Sequence, residues 1–119
     1  IITAKNLKKD FIELFGDGTP LRQFMHARDV AKVICRMIEE NKYLNMNIAT
    51  DENYTVDKIA KIALKVCDAE YLQIKYNSNR PNGQMRKDID TSIFEKNFPN
   101  LKLGRLSEGI KEIYEKLKK

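Results

Sequence analysis

A chain of 119 residues with 42% apolar and 33% charged side chains, five glycines and three prolines is one folded domain or a piece of one, not a disordered tail. Its net charge of +5 comes from 22 basic residues interleaved with 17 acidic ones and without a run of five like charges, the pattern of an ordinary mixed surface. No segment reaches membrane-spanning length, and Ile1-Ile2-Thr3-Ala4-Lys5 lacks the charged and apolar regions of a secretion signal.

In chain order, residues 3–9 predict a short helix. Since the chain lacks an initiator methionine, we expect it to be cut from something longer. Phe11-Ile12-Glu13-Leu14-Phe15 predicts a strand that ends at Gly16-Asp17-Gly18, and Leu21 to Met25 a second extended piece. Asp29 suits an N-cap or first-turn position of a helix in which Val30, Val33, Ile34, Met37 and Ile38 recur at helical spacing. Leu44-Asn45-Met46-Asn47-Ile48 alternates with period two and predicts a half-buried strand.

Thr55 is placed to cap a helix whose apolar stripe is Val56, Ile59, Ala60, Ala63, Leu64 and Cys67. Tyr71 to Tyr76 predicts another strand, and the turn formers of residues 77–83 an irregular loop. A short helix capped by Asp90 or Thr91 and a last one opened by Ser107-Glu108 complete an α+β chain with three or four helices and short strands, small and irregular, without repeats. Cys35 and Cys67, with no C-x-x-C spacing, are expected to be buried apolar groups in a reducing, cytoplasmic setting.

Two constellations carry chemistry. Arg22 stands alone among Leu21, Phe24 and Met25, and a planar, permanently charged guanidinium can grip two phosphate oxygens at once. Its bland alternative is a surface ion pair to Asp29 or Glu13. The loop Asn79 to Asp88 holds three cations in eight residues, and Asn82-Gly83 favours a turn that could bring Arg86 or Lys87 over a ligand; a solvated basic loop is the alternative. Phe15 could stack on a nucleobase or plug the core. His26, the only histidine, has no partner at metal-ligand spacing, and neither G-x-G-x-x-G nor the P-loop pattern occurs.

Phe15-Gly16-Asp17-Gly18-Thr19-Pro20-Leu21-Arg22-Gln23-Phe24, then Arg28-Asp29-Val30-Ala31, and downstream Arg80-Pro81-Asn82-Gly83-Gln84-Met85-Arg86-Lys87-Asp88-Ile89-Asp90, resemble the C-terminal substrate-binding part of the extended short-chain dehydrogenase/reductase family. The second motif points to its fucose-synthase branch. The resemblance implies that residues 1–119 form the nucleotide-sugar-binding part of an NAD(P)-dependent epimerase, dehydratase or reductase. Phe15 would line the nucleotide pocket, Arg22 contact the diphosphate, and Asn82, Arg86 and Lys87 complete the substrate contacts. Phe15 stands in place of the branch's usual tryptophan, Arg28 in place of an acid and Asn82 in place of an aspartate, which leaves GDP-, UDP-, CDP- and dTDP-sugars all open.

The family's cofactor loop and catalytic Y-x-x-x-K lie in an N-terminal Rossmann domain absent from this chain, so neither a catalytic residue nor a cofactor contact is expected here. Tyr54 and Lys58 fit the spacing, but Tyr54 precedes its helix and the match is read as chance. The expected partners are the nucleotide sugar, the missing Rossmann domain and, in full-length form, a second copy as homodimer, with no nucleic acid and no membrane. The rival from another class is a free-standing basic module for RNA or another polyanion.

Overall fold

The computed structural model describes residues 1–118, which form five helices and four short strands. Helix α1 (Ile2–Asn6) leads into strand β1 (Phe11–Phe15), then β2 (Leu21–Gln23), α2 (Ala27–Glu39), β3 (Asn53–Thr55), α3 (Val56–Val66), β4 (Gln73–Asn77), α4 (Ser92–Asn97) and α5 (Leu106–Leu117). The α+β expectation holds, with one helix more than the upper count. The strands make two ribbons: β1 pairs parallel with β4, Phe11 opposite Gln73 and Phe15 opposite Asn77, while β2 pairs antiparallel with β3, Arg22 opposite Tyr54.

Two small cores hold these pieces together. Ala4, Leu64, Cys67, Ala69 and Leu72 join α1 and α3 to the approach of β4, with Ile12, Ile74, Ile110 and Tyr114 packed on them. Val33, Phe94 and Phe98 join α2 to α4, with Met37, Met46, Ile48, Leu101 and Leu103 around them. The helix ends explain the sharp reversals between elements. α1, α2 and α3 each finish with a left-handed residue that is not glycine, Lys8, Asn41 and Asp68, and each has the paired backbone bonds of a Schellman motif, such as Lys42 N to Met37 O and Asn41 N to Ile38 O.

Several expectations need correction. Residues 44–48 alternate between half-buried and exposed but belong to no strand: among the described residues no backbone–backbone hydrogen bond reaches residues 43–49, and a strand exists only where a neighbour takes up those groups. Strand β3 was not expected, because Asn53-Tyr54-Thr55 gains its extended form from β2 and not from its own composition. Cys35 is exposed, since it lies off the stripe of α2 that meets the core, whereas Cys67 is buried and desolvation raises its thiol pKa.

The cap of α2 is His26, whose Nδ1 accepts from Arg28 N at 3.1 Å; Asp29 falls in the first turn. Thr55 caps α3 as expected, its Oγ1 accepting from Lys58 N at 3.1 Å. α5 begins at Leu106, one position before the predicted start, with Arg105 as its N-cap; there Glu108 accepts from Arg105 N at 3.0 Å and Glu52 from Leu106 N at 2.8 Å.

Asp29 is fully buried and ties α2 to the approach of α5, accepting from Lys32 Nζ at 3.0 Å and Gly104 N at 3.0 Å. Burial alone would raise its pKa, but Lys32 and the Gly104 N–H outweigh it and hold the carboxyl below its ordinary value. A depressed native pKa gives stability that is complete above the unfolded value and is lost as pH falls through the native one. Asp29→Ala should cost about 1–2 kcal/mol at neutral pH, because it leaves the half-buried Gly104 N–H without its acceptor and removes the ion pair to Lys32. Urea unfolding at pH 7 and pH 3 checks this: the gap between variant and parent should narrow at the acid pH.

Candidate functional site

The site is assembled where β1 ends. Gly16 and Gly18 both take left-handed backbone angles, φ +78° and +80°, which lets the chain reverse between β1 and β2 in five residues. Asp17 stabilises the reversal from within, its Oδ1 accepting from Thr19 N at 2.9 Å and Thr19 Oγ1 at 2.7 Å; these Thr19 bonds keep its carboxyl ionised to lower pH than usual. Gly16 N donates to Asn77 O at 2.9 Å and Asp57 N to Gly18 O at 2.9 Å, so β4 and the first turn of α3 hold the turn from outside. The Tyr76 hydroxyl donates to Asp57, and that bond pushes the phenol pKa up to about 12.

The basic loop arrives against this turn. Asp17 N donates to Asn82 Oδ1 at 2.8 Å, a side-chain bond across 65 positions of sequence. Leu21 N donates to Met85 O at 2.8 Å and Ile89 N to Gln23 Oε1 at 3.3 Å, so residues 82–89 run beside β2 as an irregular third member of its ribbon. Asn53 Nδ2 donates to Asp88 Oδ1 at 2.7 Å and ties the loop to β3 as well. Gly83 faces Arg22: a methyl group on Gly83 would lie 3.6 Å from Arg22 Nη2.

Arg22 is half-buried and donates to Leu21 O at 2.7 Å. It pairs with neither Asp29 nor Glu13 nor any other carboxylate among the described residues, so the surface ion pair that would have explained it away is not there. Phe15 is 63% exposed, which rules out the core plug, and the Arg80 guanidinium lies 5.3 Å from its ring centroid. An exposed aromatic, two guanidiniums and a glycine-lined backbone therefore share one surface.

The other expected residues divide. Asn82 is half-buried, and its Oδ1 holds Asp17, which makes it a clasp between the turn and the loop. Arg86 spends its charge on Asp88, Nε to Oδ2 2.5 Å. Lys87 is exposed and forms no ion pair among the described residues, so its ammonium remains available. Arg80 is the contributor that sequence reasoning passed over; the signal was its place directly before Pro81, one turn from Asn77.

A cavity of about 850 Å³ between residues 49–54 and 101–105 is lined by none of these groups. The Tyr54 hydroxyl donates to Glu52 Oε1 at 3.1 Å, and that bond raises the phenol pKa, where a catalytic base would need it lowered. Among the described residues no cluster of His, Cys, Asp and Glu could hold a metal ion, and no helix is long and apolar enough to cross a membrane.

A glycine turn and a lone arginine stitched to a distant basic loop mark this chain as a segment of the extended short-chain dehydrogenase/reductase class. Within that class it belongs to the GDP-mannose 4,6 dehydratase family, whose model matches residues 1–108. It is 30% identical over 95 residues to the GDP-L-colitose synthase of Yersinia pseudotuberculosis, covering 78% of this chain and 30% of that protein. It is 31% identical over 81 residues to a dTDP-4-dehydro-6-deoxy-D-allose reductase of Streptomyces sp, covering 68% and 24%. The fold superposes with a TM-score of 0.80 and 21% identity on a GDP-L-fucose synthetase from Naegleria fowleri bound to NADP, over 96% of this chain and 36% of that one. The chain spans about a third of the length of such relatives or less.

Proposed function

We propose that residues 1–119 are the nucleotide-sugar-binding part of an NAD(P)-dependent sugar-nucleotide epimerase, dehydratase or reductase of the fucose-synthase type, inactive until joined to a Rossmann domain that carries the cofactor and the catalytic pair. The observation that supports this best is the meeting of Arg22 with the Asn82-Gly83 loop across the glycine turn, beside an exposed Phe15. Arg22 grips the diphosphate as a fork, Phe15 offers a face to the base, and Lys87 supplies a mobile positive charge. Asn82 acts one step back, by holding the turn, and Arg86 by shaping its own loop through Asp88. Binding energy gathered on the nucleotide would position the sugar for chemistry performed on the other domain.

The same reading puts the complete enzyme in the cytoplasm as a homodimer and leaves the base open among guanine, uracil, cytosine and thymine. Against a polyanion-binding module stands the interspersion of charge: 17 acidic residues lie among the 22 basic ones, and eight of the cations, Arg28, Lys32, Arg36, Lys42, Lys61, Arg86, Lys116 and Lys118, are paired with carboxylates.

Amide NMR titration with GDP, UDP, CDP and dTDP tests the proposal. We expect at least one of them, at millimolar concentration, to shift Phe15, Arg22, Gly83 and Lys87 together. Silence at all four positions with all four nucleotides would overturn the site.

A further inference from the structure

Strand β2 has two faces, and its two polar residues divide between them. Arg22 projects to one face with Tyr54, its partner in β3, and Gln23 to the other with Asn53, because directly paired residues share a face and neighbours alternate. Two fastenings hold the far end of the basic loop on the Gln23 side. Gln23 Oε1 accepts from Ile89 N at 3.3 Å, while Gln23 Nε2 donates to Thr50 O at 2.9 Å. Asp88 accepts from Asn53 Nδ2 on Oδ1 at 2.7 Å and from Arg86 Nε on Oδ2 at 2.5 Å. Both carboxylate oxygens are therefore occupied, one by the strand frame and one by a cation two positions back.

The Asn53 amide shows how firmly this contact is chosen. Its Oδ1 is buried without a hydrogen-bond partner among the described residues. Turning the amide over would set its carbonyl against the Asp88 carboxylate, and a carboxylate can only accept. The bond to Asp88 thus fixes the amide and outweighs an unpaired buried carbonyl. Arg86 and Asp88 meet each other on this side of the ribbon. Where residues two apart share a face, the one between them turns away. That residue is Lys87, exposed and in no ion pair among the described residues. The near end of the same loop already lies against Arg22, through Gly83.

We propose that Asp88 is a positioning residue: pinned to Asn53, it holds Arg86 away from the diphosphate and turns Lys87 to the face of β2 that carries Arg22. Without the pin, a slip of this run by one residue would exchange the two cations, since neighbours in it point opposite ways. The pinned site meets a diphosphate with one guanidinium fork and one ammonium point charge, and not with two forks. The inference rests on the nucleotide-sugar reading given above and adds to it two residues, Asp88 and Asn53, that act through Lys87 without touching the ligand.

Amide NMR titration of the chain with GDP, UDP, CDP and dTDP, read at Arg22 and Lys87, tests it. Asp88→Ala should weaken every nucleotide that the parent binds by about 5- to 10-fold, the contribution of one cation contact. It should also remove the shift at Lys87 while keeping that at Arg22, and the chain should stay folded because the Asp88 side chain is about half exposed. Asn53→Ala should weaken binding in the same way although it removes no charge. Asp88→Asn keeps an acceptor for Asn53 and should restore both the affinity and the Lys87 shift. Lys87→Ala added to Asp88→Ala should cost nothing further. Tighter binding by Asp88→Ala and Asp88→Asn alike overturns the proposal, because Asp88 then only neutralises Arg86; so does an unchanged affinity in Asn53→Ala. Silence at Arg22 in the parent with all four nucleotides sinks the site and the pin together. A parent that binds, beside an Asp88→Ala variant that binds equally well, sinks the pin and spares the site.

Discussion

Replacing Arg22 with alanine should weaken nucleoside diphosphate binding by about 10- to 100-fold, the worth of a charge-assisted pair of hydrogen bonds. The effect should be large because this guanidinium pairs with no carboxylate among the described residues: its one hydrogen bond there is to Leu21 O, so the charge is undivided when a diphosphate arrives. Arg22→Lys keeps the charge but not the fork and should recover only part of the loss. Neither change should lower stability appreciably, since no buried partner is orphaned. Calorimetric titration beside a melting curve separates the two effects. An unchanged affinity for both variants would move the diphosphate to Arg80 and Lys87 and take Arg22 out of the site.

Gly16→Ala should be the most damaging small substitution in the chain. The backbone there has φ +78°, which costs a residue with a Cβ about 1–2 kcal/mol, and the new methyl would collide with the Asn82 side chain. Moving Asn82 aside would in turn leave Asp17 N without its acceptor, for a further ~1–2 kcal/mol. Together these should lower the melting temperature by about 10 °C and loosen the loop that carries Lys87. Pairing the change with Asn82→Ala should cost less than the two singly, because the collision is then removed, and thermal unfolding of the double-mutant cycle measures that coupling. Strict additivity would show that turn and loop do not touch in solution.

Much of this fold could be read from the residues alone, and the exceptions share a cause. Strand β1, helix α2 and the Thr55-capped α3 are specified by local pattern and by a cap that makes its bond within three residues, so they came out nearly as expected. Arg22 was legible for a related reason: a cation with apolar neighbours on both sides has nothing local to neutralise it. What failed was whatever depends on a distant partner. Strand β3 exists because β2 lies beside it, the predicted strand over residues 44–48 has no neighbour among the described residues, and Cys35 sits on an exposed side of its helix. The bond of Asn82 was hidden in the same way: the resemblance implied a substrate contact, and nothing local announces that its carbonyl also accepts from Asp17 N, 65 positions away.

That clasp sets a rule for recombining this chain with its relatives. Residues 15–22 and 79–89 are far apart in the gene yet share one stitch, and the same loop also borrows Asn53 and Gln23. Grafting the downstream loop from a homologue with other base preferences, while keeping the host's upstream turn, would sever the stitch and yield a poorly ordered hybrid. A swap of specificity should therefore transplant both segments at once, as a single inherited cassette.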